Sequence, residues 1–432
     1  MRSKDDFEKS FRRLPSEKKH LEAQALIEQS RFDEKHRAFH QSRLWLEQGR
    51  HRDLIRLLNP YLRDIDASTN SPGMLQLVGT ALLHINEGRK SVRYLRAAVK
   101  IDPHNLTAQR LLLNALLDTA EFEEALALAV KCLESSPEDR DFMLSEAAAL
   151  KGLMRPIDSL AAIDKILKIH KDDRVAYRLQ ADIFAESDSR LGVKLYKQIL
   201  NTERDGNPEV QLRWNSCIHF LRARDFDEGW KNWELGFDKD VGTMGRQIPA
   251  QLRELPRADG EPAQADHWTL VCAEQGIGDQ ILFMSGFREF VQEYKNVIVA
   301  AEHRMVSIFK RAFPEAYITT PGIVEAWRKL PLKKQGWIPM GSLLPRYRKR
   351  AEDFAGHREP FLSVDQAKLR HYRELLLEKA NGRPIIGISW RGGYWGLQQA
   401  TKAMTLADWR VITHGNVLCV NLVNVAKKSQ FY

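Results

Sequence analysis

The string EQGIGD, residues 274–279, has residue types and spacing that suit anion chemistry. Gly276 and Gly278 let backbone amides turn inward where a helix begins, and the helix dipole there favours phosphate or another anion. Asp279 has two readings that the residues alone leave open. It is a carboxylate able to take a proton, or it is the helix N-cap that accepts backbone N–H groups. Trp390, Tyr394 and Trp395 form a second cluster, suited to stacking on a base or sugar and equally to packing at a strand end. A third cluster is cationic: Lys333, Lys334, Arg346, Arg348, Lys349 and Arg350 surround a proline-containing stretch. It reads as a solvated face, with contact to anionic lipid, phosphorylated glycan or nucleic acid as the alternative. The four cysteines, Cys132, Cys217, Cys272 and Cys419, lie too far apart for metal-ligand spacing or a compact disulfide framework.

The elements that must hold the loop follow from alternation. WTLVCA (268–273) reads as a strand, and QILFMSGFREFVQEY after the loop reads as a helix. NVIVAA (296–301) is a second strand, HRMVSIFKRAF a second helix and AYIT a short strand. Strand–loop–helix–strand order predicts a parallel α/β sheet. Upstream, Gln247 to His267 carries Pro249, Pro256, Gly260 and Pro262 with little apolar periodicity, as a linker does.

The first half carries a different signal. Pro103 and Pro137 are 34 residues apart, and the same offset links Ser91, Ala125, Ser159 and Val193. It also links Gly79, Leu113, Ala147 and Ala181. Three of the four residues in this last series are small, as close approach of paired helices requires, and segments such as AEFEEALALAVKCLESSP repeat apolar residues at helical spacing. Period, small positions and closing proline resemble the tetratricopeptide family, in four units from residue 72 to about 205. Degenerate units flank them, one ending at Tyr61 and one from Pro208 to Phe237. Each hairpin buries its apolar face only by stacking on a neighbour, which leaves a groove suited to a protein partner.

The whole chain is 432 residues, 43% hydrophobic and 28% charged, with a net charge of +9. That length implies more than one domain. No apolar run approaches the roughly 18 residues that span a bilayer, and MRSKDDFEKSF lacks the apolar stretch of a secretory signal. The composition therefore predicts a reduced, cytoplasmic protein without a transmembrane segment. The expected division is an N-terminal helical extension over 1–34, a repeat array over 35–240, a linker over 241–267, a first α/β lobe over 268–383, and the start of a second over 384–432.

CAEQGIGDQILFMSGFREF resembles the first loop of a bacterial group that joins tetratricopeptide repeats to a glycosyltransferase domain, itself similar to heptosyltransferases. The resemblance continues through AAEHRMVSIFKRAFPEAYI, IPMGSLLPRY, PFLSVDQAKLRHYRELL and IIGISWRGG, from about 209 to 422. It implies two Rossmann-like lobes in the GT-B arrangement with a nucleotide-sugar between them, inverting transfer, no metal and no further cofactor. It places Asp279 as the general base, Gly276 and Gly278 where substrate approaches the backbone, and Arg391 and Lys402 toward the donor phosphates. Glu274 and Gln275 match the same pattern without an assigned role. The resembling proteins are richer in Asn, Asp and Arg where this chain reads YWGLQQATKAM. From Pro384 to Tyr432 only PIIGISW and NVLCVNL read as strands, so the second lobe is expected to be truncated and transfer by this polypeptide alone is not expected. The expected partner is an acceptor protein or glycan held by the repeats, with peripheral membrane contact as a further option and no nucleic acid. The alternative expectation is a tetratricopeptide scaffold without catalysis.

Overall fold

A computed structural model describes residues 17–28, 32–62, 64–201, 208–238, 241, 245–253, 255–258, 263–274, 276–355, 360–390, 404–413 and 415–422. The chain divides into two compact units, 1–180 with 386–432, and 181–385.

Helix α1 (Glu17–Glu28) precedes a run of helical hairpins: α2 (Glu34–Glu47) with α3 (His51–Leu58), α4 (Pro72–His84) with α5 (Gly88–Ile101), α6 (Leu106–Asp118) with α7 (Phe122–Ser135), and α8 (Arg140–Gly152) with α9 (Pro156–Ile169). They continue as α10 (Arg174–Ser187) with α11 (Ser189–Asn201), and α12 (Pro208–Arg222) with α13 (Phe226–Glu234). The residues that mark the 34-residue period stand where the two helices of a hairpin touch. Ser91 and Ser159 are buried, and their hydroxyls donate to the carbonyls of Gly79 and Ala147, each at 2.7 Å. A Cβ at Gly79 would lie 2.6 Å from Leu95 Cγ, so the close approach there excludes any side chain. Helices α2 to α13 are a tetratricopeptide-like array of hairpins.

Two further 34-residue series were hidden in the sequence. One is the turn inside three successive hairpins. Asn86, Ala120 and Met154 have φ of 60°, 62° and 57°. The next residue's N–H reaches back to Leu82, Leu116 and Leu150 O, at 2.8, 2.9 and 3.0 Å, which closes the preceding helix in a Schellman turn. Gly49 after α2 and Arg224 after α12 repeat the arrangement, with φ of 71° and 64°. The left-handed region costs a residue with a Cβ about 1–2 kcal/mol relative to glycine. Met154→Gly, at an exposed position, is therefore expected to stabilise the protein by up to about 1 kcal/mol, read as a higher urea midpoint with an unchanged slope.

The second series is Asn105, Asp139 and Asp173, the N-caps of α6, α8 and α10. Each accepts a backbone N–H from its own helix, namely those of Ala108, Phe142 and Ala176. Each also holds the neighbouring repeat, Asn105 by donating to Gln76 Oε1, Asp139 by accepting from Arg110 and Asp173 by accepting from Arg140. One side chain thus starts a helix and ties it to the previous hairpin.

In the second unit, β1 (Trp268–Cys272), β2 (Asn296–Ala300), β3 (Tyr317–Thr319) and β4 (Lys334–Pro339) form a parallel sheet in the order β3-β2-β1-β4. Both faces are covered, as a parallel sheet requires. Val271, Val299 and Ile338 face a core of Phe283, Phe287, Phe290, Phe309 and Phe313. Leu270, Ile298 and Trp337 face a second cluster with Leu252, Val324 and Trp327. The linker is not free of structure at β4, since Ala258 N donates to Trp337 O at 2.9 Å.

Several expectations change here. The helix read over QILFMSGFREFVQEY is two helices, α14 (Ile277–Met284) and α15 (Phe287–Glu293), divided at Ser285-Gly286. HRMVSIFKRAF forms α16 (His303–Ala312). Strand β4 was not read from the sequence; its Lys334, with the preceding Lys333, had been assigned to a basic face. Acidic partners offset much of that face, while Lys349 and Arg350 remain exposed. Lys333 pairs with Asp266, Arg346 with Glu293, and Arg350 with Asp353. The ammonium of Lys334 donates to Leu330 O at 2.6 Å, and Arg348 is buried against Glu289. Short helices α17 (Ile323–Trp327) and α18 (Leu343–Tyr347) and the longer α19 (Gln366–Ala380) lie around and beyond β4 in sequence. Strands β5 (Ile385–Ile388) and β6 (Leu418–Asn421), with α20 (Arg410–Thr413) between them, pair in a separate two-stranded sheet. These sheets are smaller than the two nucleotide-binding lobes that the resemblance implies. No helix among the described residues is long and apolar enough to cross a membrane.

Candidate functional site

In an open parallel sheet, the crevice outside the carboxyl ends of the strands, at the point where strand order reverses, is where ligands bind. Here that point lies between β1 and β4. The chain leaving β1 supplies Ala273 and Glu274 and then opens α14; the chain leaving β4 supplies Met340, Gly341 and Ser342.

The crevice holds the protein's own side chains. Arg246, 3% exposed, donates from Nη2 to Glu274 Oε1 at 2.6 Å, from Nη1 to Glu234 Oε1 at 3.0 Å and from Nη2 to Ser342 Oγ at 3.1 Å. Arg257 Nη2 donates to Glu234 Oε2 at 2.9 Å. Ser342 Oγ donates to Glu234 Oε1, and Gly341 N donates to Glu274 Oε1 at 3.1 Å. Two guanidiniums therefore meet two carboxylates with nearly every polar atom partnered. Aromatic faces close the knot: Arg246 lies over the rings of Phe237 and Trp233, with its Cζ 4.1 and 4.8 Å from their centroids. The indole of Trp233 donates to Gly341 O at 2.9 Å, and that of Trp230 donates to Arg348 O at 2.6 Å. A Cβ on Gly341 would lie 2.5 Å from Glu274 Oε1, so only glycine fits between carboxylate and indole.

Burial pushes the Glu274 carboxyl above its ordinary value, with Arg246 and the Gly341 N–H opposing it. Burial acts in the same sense on Glu234, but Arg246, Ser342 and Arg257 together outweigh it and hold that carboxyl low. The thiols nearby are inert: burial pushes Cys217 and Cys272 up to about 12. Among the described residues no group of His, Cys, Asp and Glu is arranged to hold a metal ion.

Asp279 stands beside this knot in the chain without joining it. The N-cap of α14 is Gly276, and Asp279 falls in the first helical turn, exposed, which displaces the N-cap reading. It accepts no hydrogen bond among the described residues. A Cβ on Gly278 would meet nothing within 4 Å, and one on Gly276 would meet Asp279 Oδ2 at 3.4 Å. Packing within the chain therefore does not demand either glycine. Gln275, Arg391 and Lys402 lie outside the described residues, as do Tyr394 and Trp395 of the aromatic cluster; Trp390 is half-buried. Sequence reasoning named Glu274 without giving it a role and missed Arg246, Glu234 and Arg257. Their signal was faint: Trp230 and Trp233 stand three apart before a proline-rich linker, and each buried indole needs an acceptor.

No family model matches the chain. It is similar to Protein FlbA of Caulobacter vibrioides, 24% identical over 325 residues that cover 71% of this chain and 53% of that protein. The chain spans about half the length of the curated relative it matches. Among solved structures, a tetratricopeptide repeat protein from Parabacteroides merdae aligns at 12% identity with a TM-score of 0.44, over 55% of this chain and 90% of that one. MamA from Desulfovibrio magneticus aligns at 16% identity with a TM-score of 0.35, over 40% and 96%.

Proposed function

We propose that the protein is an interaction scaffold whose helical repeats hold a protein partner. One observation carries this reading: the crevice that would receive a small-molecule ligand at the β1–β4 reversal is filled by Arg246, Glu234 and Trp233 of the same chain. The repeats, by contrast, present six hairpins whose mutual ties are internal and whose outer helical faces remain solvated. Repeat arrays use such faces for proteins.

A second reading rests on the loop. Gly276, Gly278 and Asp279 are exposed at the start of α14, and among the described residues no close contact demands Gly278. In that reading Asp279 is the general base of an inverting transfer from a nucleotide-sugar, and Arg391 and Lys402 meet the donor's phosphates. The acceptor is then a protein or glycan brought by the repeats.

Asp279→Asn separates the two. With no partner to lose, it is expected to leave the urea midpoint unchanged. Partner capture by the full chain is expected to persist in the variant, with cross-links to the captured protein on Lys100, Lys131 or Lys165 of the array. Turnover of a nucleotide-sugar that the variant abolishes, or cross-links confined to residues 268–385, would overturn the scaffold reading.

A further inference from the structure

Helix α5 reads GRKSVRYLRAAVKI, with Arg89, Lys90, Arg93, Arg96 and Lys100 and no acidic residue. Helix α3, the second helix of the hairpin before it, adds Arg52 and Arg56. Between the two runs a cleft of about 340 Å³. Its floor is apolar, built by Ile55 of α3, Leu82 and Ile85 at the end of α4, and Tyr94 of α5. Its rim is Arg52, Arg56, Asn59 and Lys90, with Glu87 beside Lys90.

The acids within reach do not cancel this charge. Asp53 accepts from Arg50 at 3.0 Å and pairs with Arg56 only at 3.5 Å. Glu87 pairs with Lys90 at 3.1 Å, and Asp66 lies 3.9 Å from Arg93. All are exposed pairs of the kind worth at most about 1 kcal/mol, so a better-placed carboxylate displaces them at little cost. Arg96 is engaged by Glu121 and Glu124 and stands apart from the cleft.

We propose that this cleft binds an acidic peptide segment of a partner protein, with one large apolar side chain of the segment seated on Ile55, Leu82, Ile85 and Tyr94 and its carboxylates facing Arg52, Arg56 and Lys90. Charge complementarity names the sign of the partner, and the floor names its anchor. A membrane surface fits less well, because among the described residues neither α3 nor α5 exposes a large apolar side chain to enter the bilayer. Single-stranded nucleic acid needs aromatic faces for successive bases, and the cleft offers Tyr94 alone. The inference rests on the scaffold reading and specifies one of its surfaces.

The test uses the full chain and a fluorescein-labelled peptide, Asp-Glu-Asp-Phe-Asp-Glu-Asp, in fluorescence anisotropy at low salt. The wild-type chain is expected to bind it, and Arg52→Glu with Lys90→Glu to weaken binding by about tenfold or more. Arg52→Gln with Lys90→Gln, milder at these exposed sites, is expected to weaken it less and serves if the reversal disturbs folding. Lys310→Glu, a cation on α16, is expected to change nothing. Exchanging the peptide's Phe for Ser is expected to weaken binding about tenfold through the lost burial. Any of four results overturns the proposal: no binding to the wild type, equal binding by both cleft variants, indifference to the Phe, or tighter binding of a 20-nucleotide single strand or phosphatidylserine vesicles than of the peptide. Such a failure leaves partner capture by the array unaffected, so the two readings fail separately.

Discussion

Arg246→Met is expected to destabilise the second unit by about 3–5 kcal/mol, because it leaves buried carboxylates without their counter-charge. The side chains of Arg246 and Glu274 are both fully inaccessible, so water cannot take over the lost hydrogen bonds. Tryptophan fluorescence in a urea titration reads the effect directly, since Trp233 lies under the guanidinium. The double variant Arg246→Met, Glu274→Gln removes one orphaned charge with its partner and is expected to recover roughly half of the loss or more, as coupled groups do. A double variant no more stable than Arg246→Met alone would show that the two charges are not coupled. The desolvation of both ions offsets much of their attraction, so the knot's main effect is to fix one arrangement of linker, hairpin and sheet.

The second large effect concerns the N-cap series. Asp173→Ala is expected to cost about 3 kcal/mol, as the sum of a lost cap of about 1 and a lost charge-assisted bond of about 1.5–3. Its side chain is 1% exposed, and it serves Val175 N, Ala176 N and Arg140 at once. Asn105→Ala, whose link to Gln76 spans 3.5 Å, is expected to cost only the cap, about 1 kcal/mol. Asp173 also predicts a pH response. Burial pushes its carboxyl up, but the hydrogen bond from Arg140 and those from its own helix outweigh this and hold it below 3.8. Its contribution is then complete above the unfolded value near 3.8 and disappears as pH falls through the lower folded value. The gap in urea midpoint between wild type and Asp173→Ala is expected to close over that acid range. A constant gap would refute the assignment.

The fold was legible where the physics is local. Small residues every 34 positions record helix contacts within a hairpin, and apolar runs such as NVIVAA record strands buried on both faces. Strand β4 escaped because KQGWIP mixes Lys, Gln, Gly and Pro, and only its last four residues are buried. Its partners are the distant β1 and the linker segment at Ala258. The candidate site was half legible. Gly276, Gly278 and Asp279 announce a loop at a helix start, whereas the knot joins residues 234, 246, 257, 274 and 342, whose meeting depends on tertiary packing alone. The basic cluster read as a solvated face, but its acidic partners Asp266, Glu289 and Glu293 lie far along the chain and were not visible beside it.

The turns at Asn86, Ala120 and Met154 and the caps at Asn105, Asp139 and Asp173 share one offset, so each internal repeat meets its neighbours through interchangeable parts. Duplication or loss of a 34-residue block that includes its own cap and turn would keep these caps and turns in register, so the array can change length without new joints of a different kind. The knot around Arg246 has no such duplicate. The hairpin that carries Trp230 and Trp233 is bonded to the chain after β4, so exchanging it would break those bonds as well.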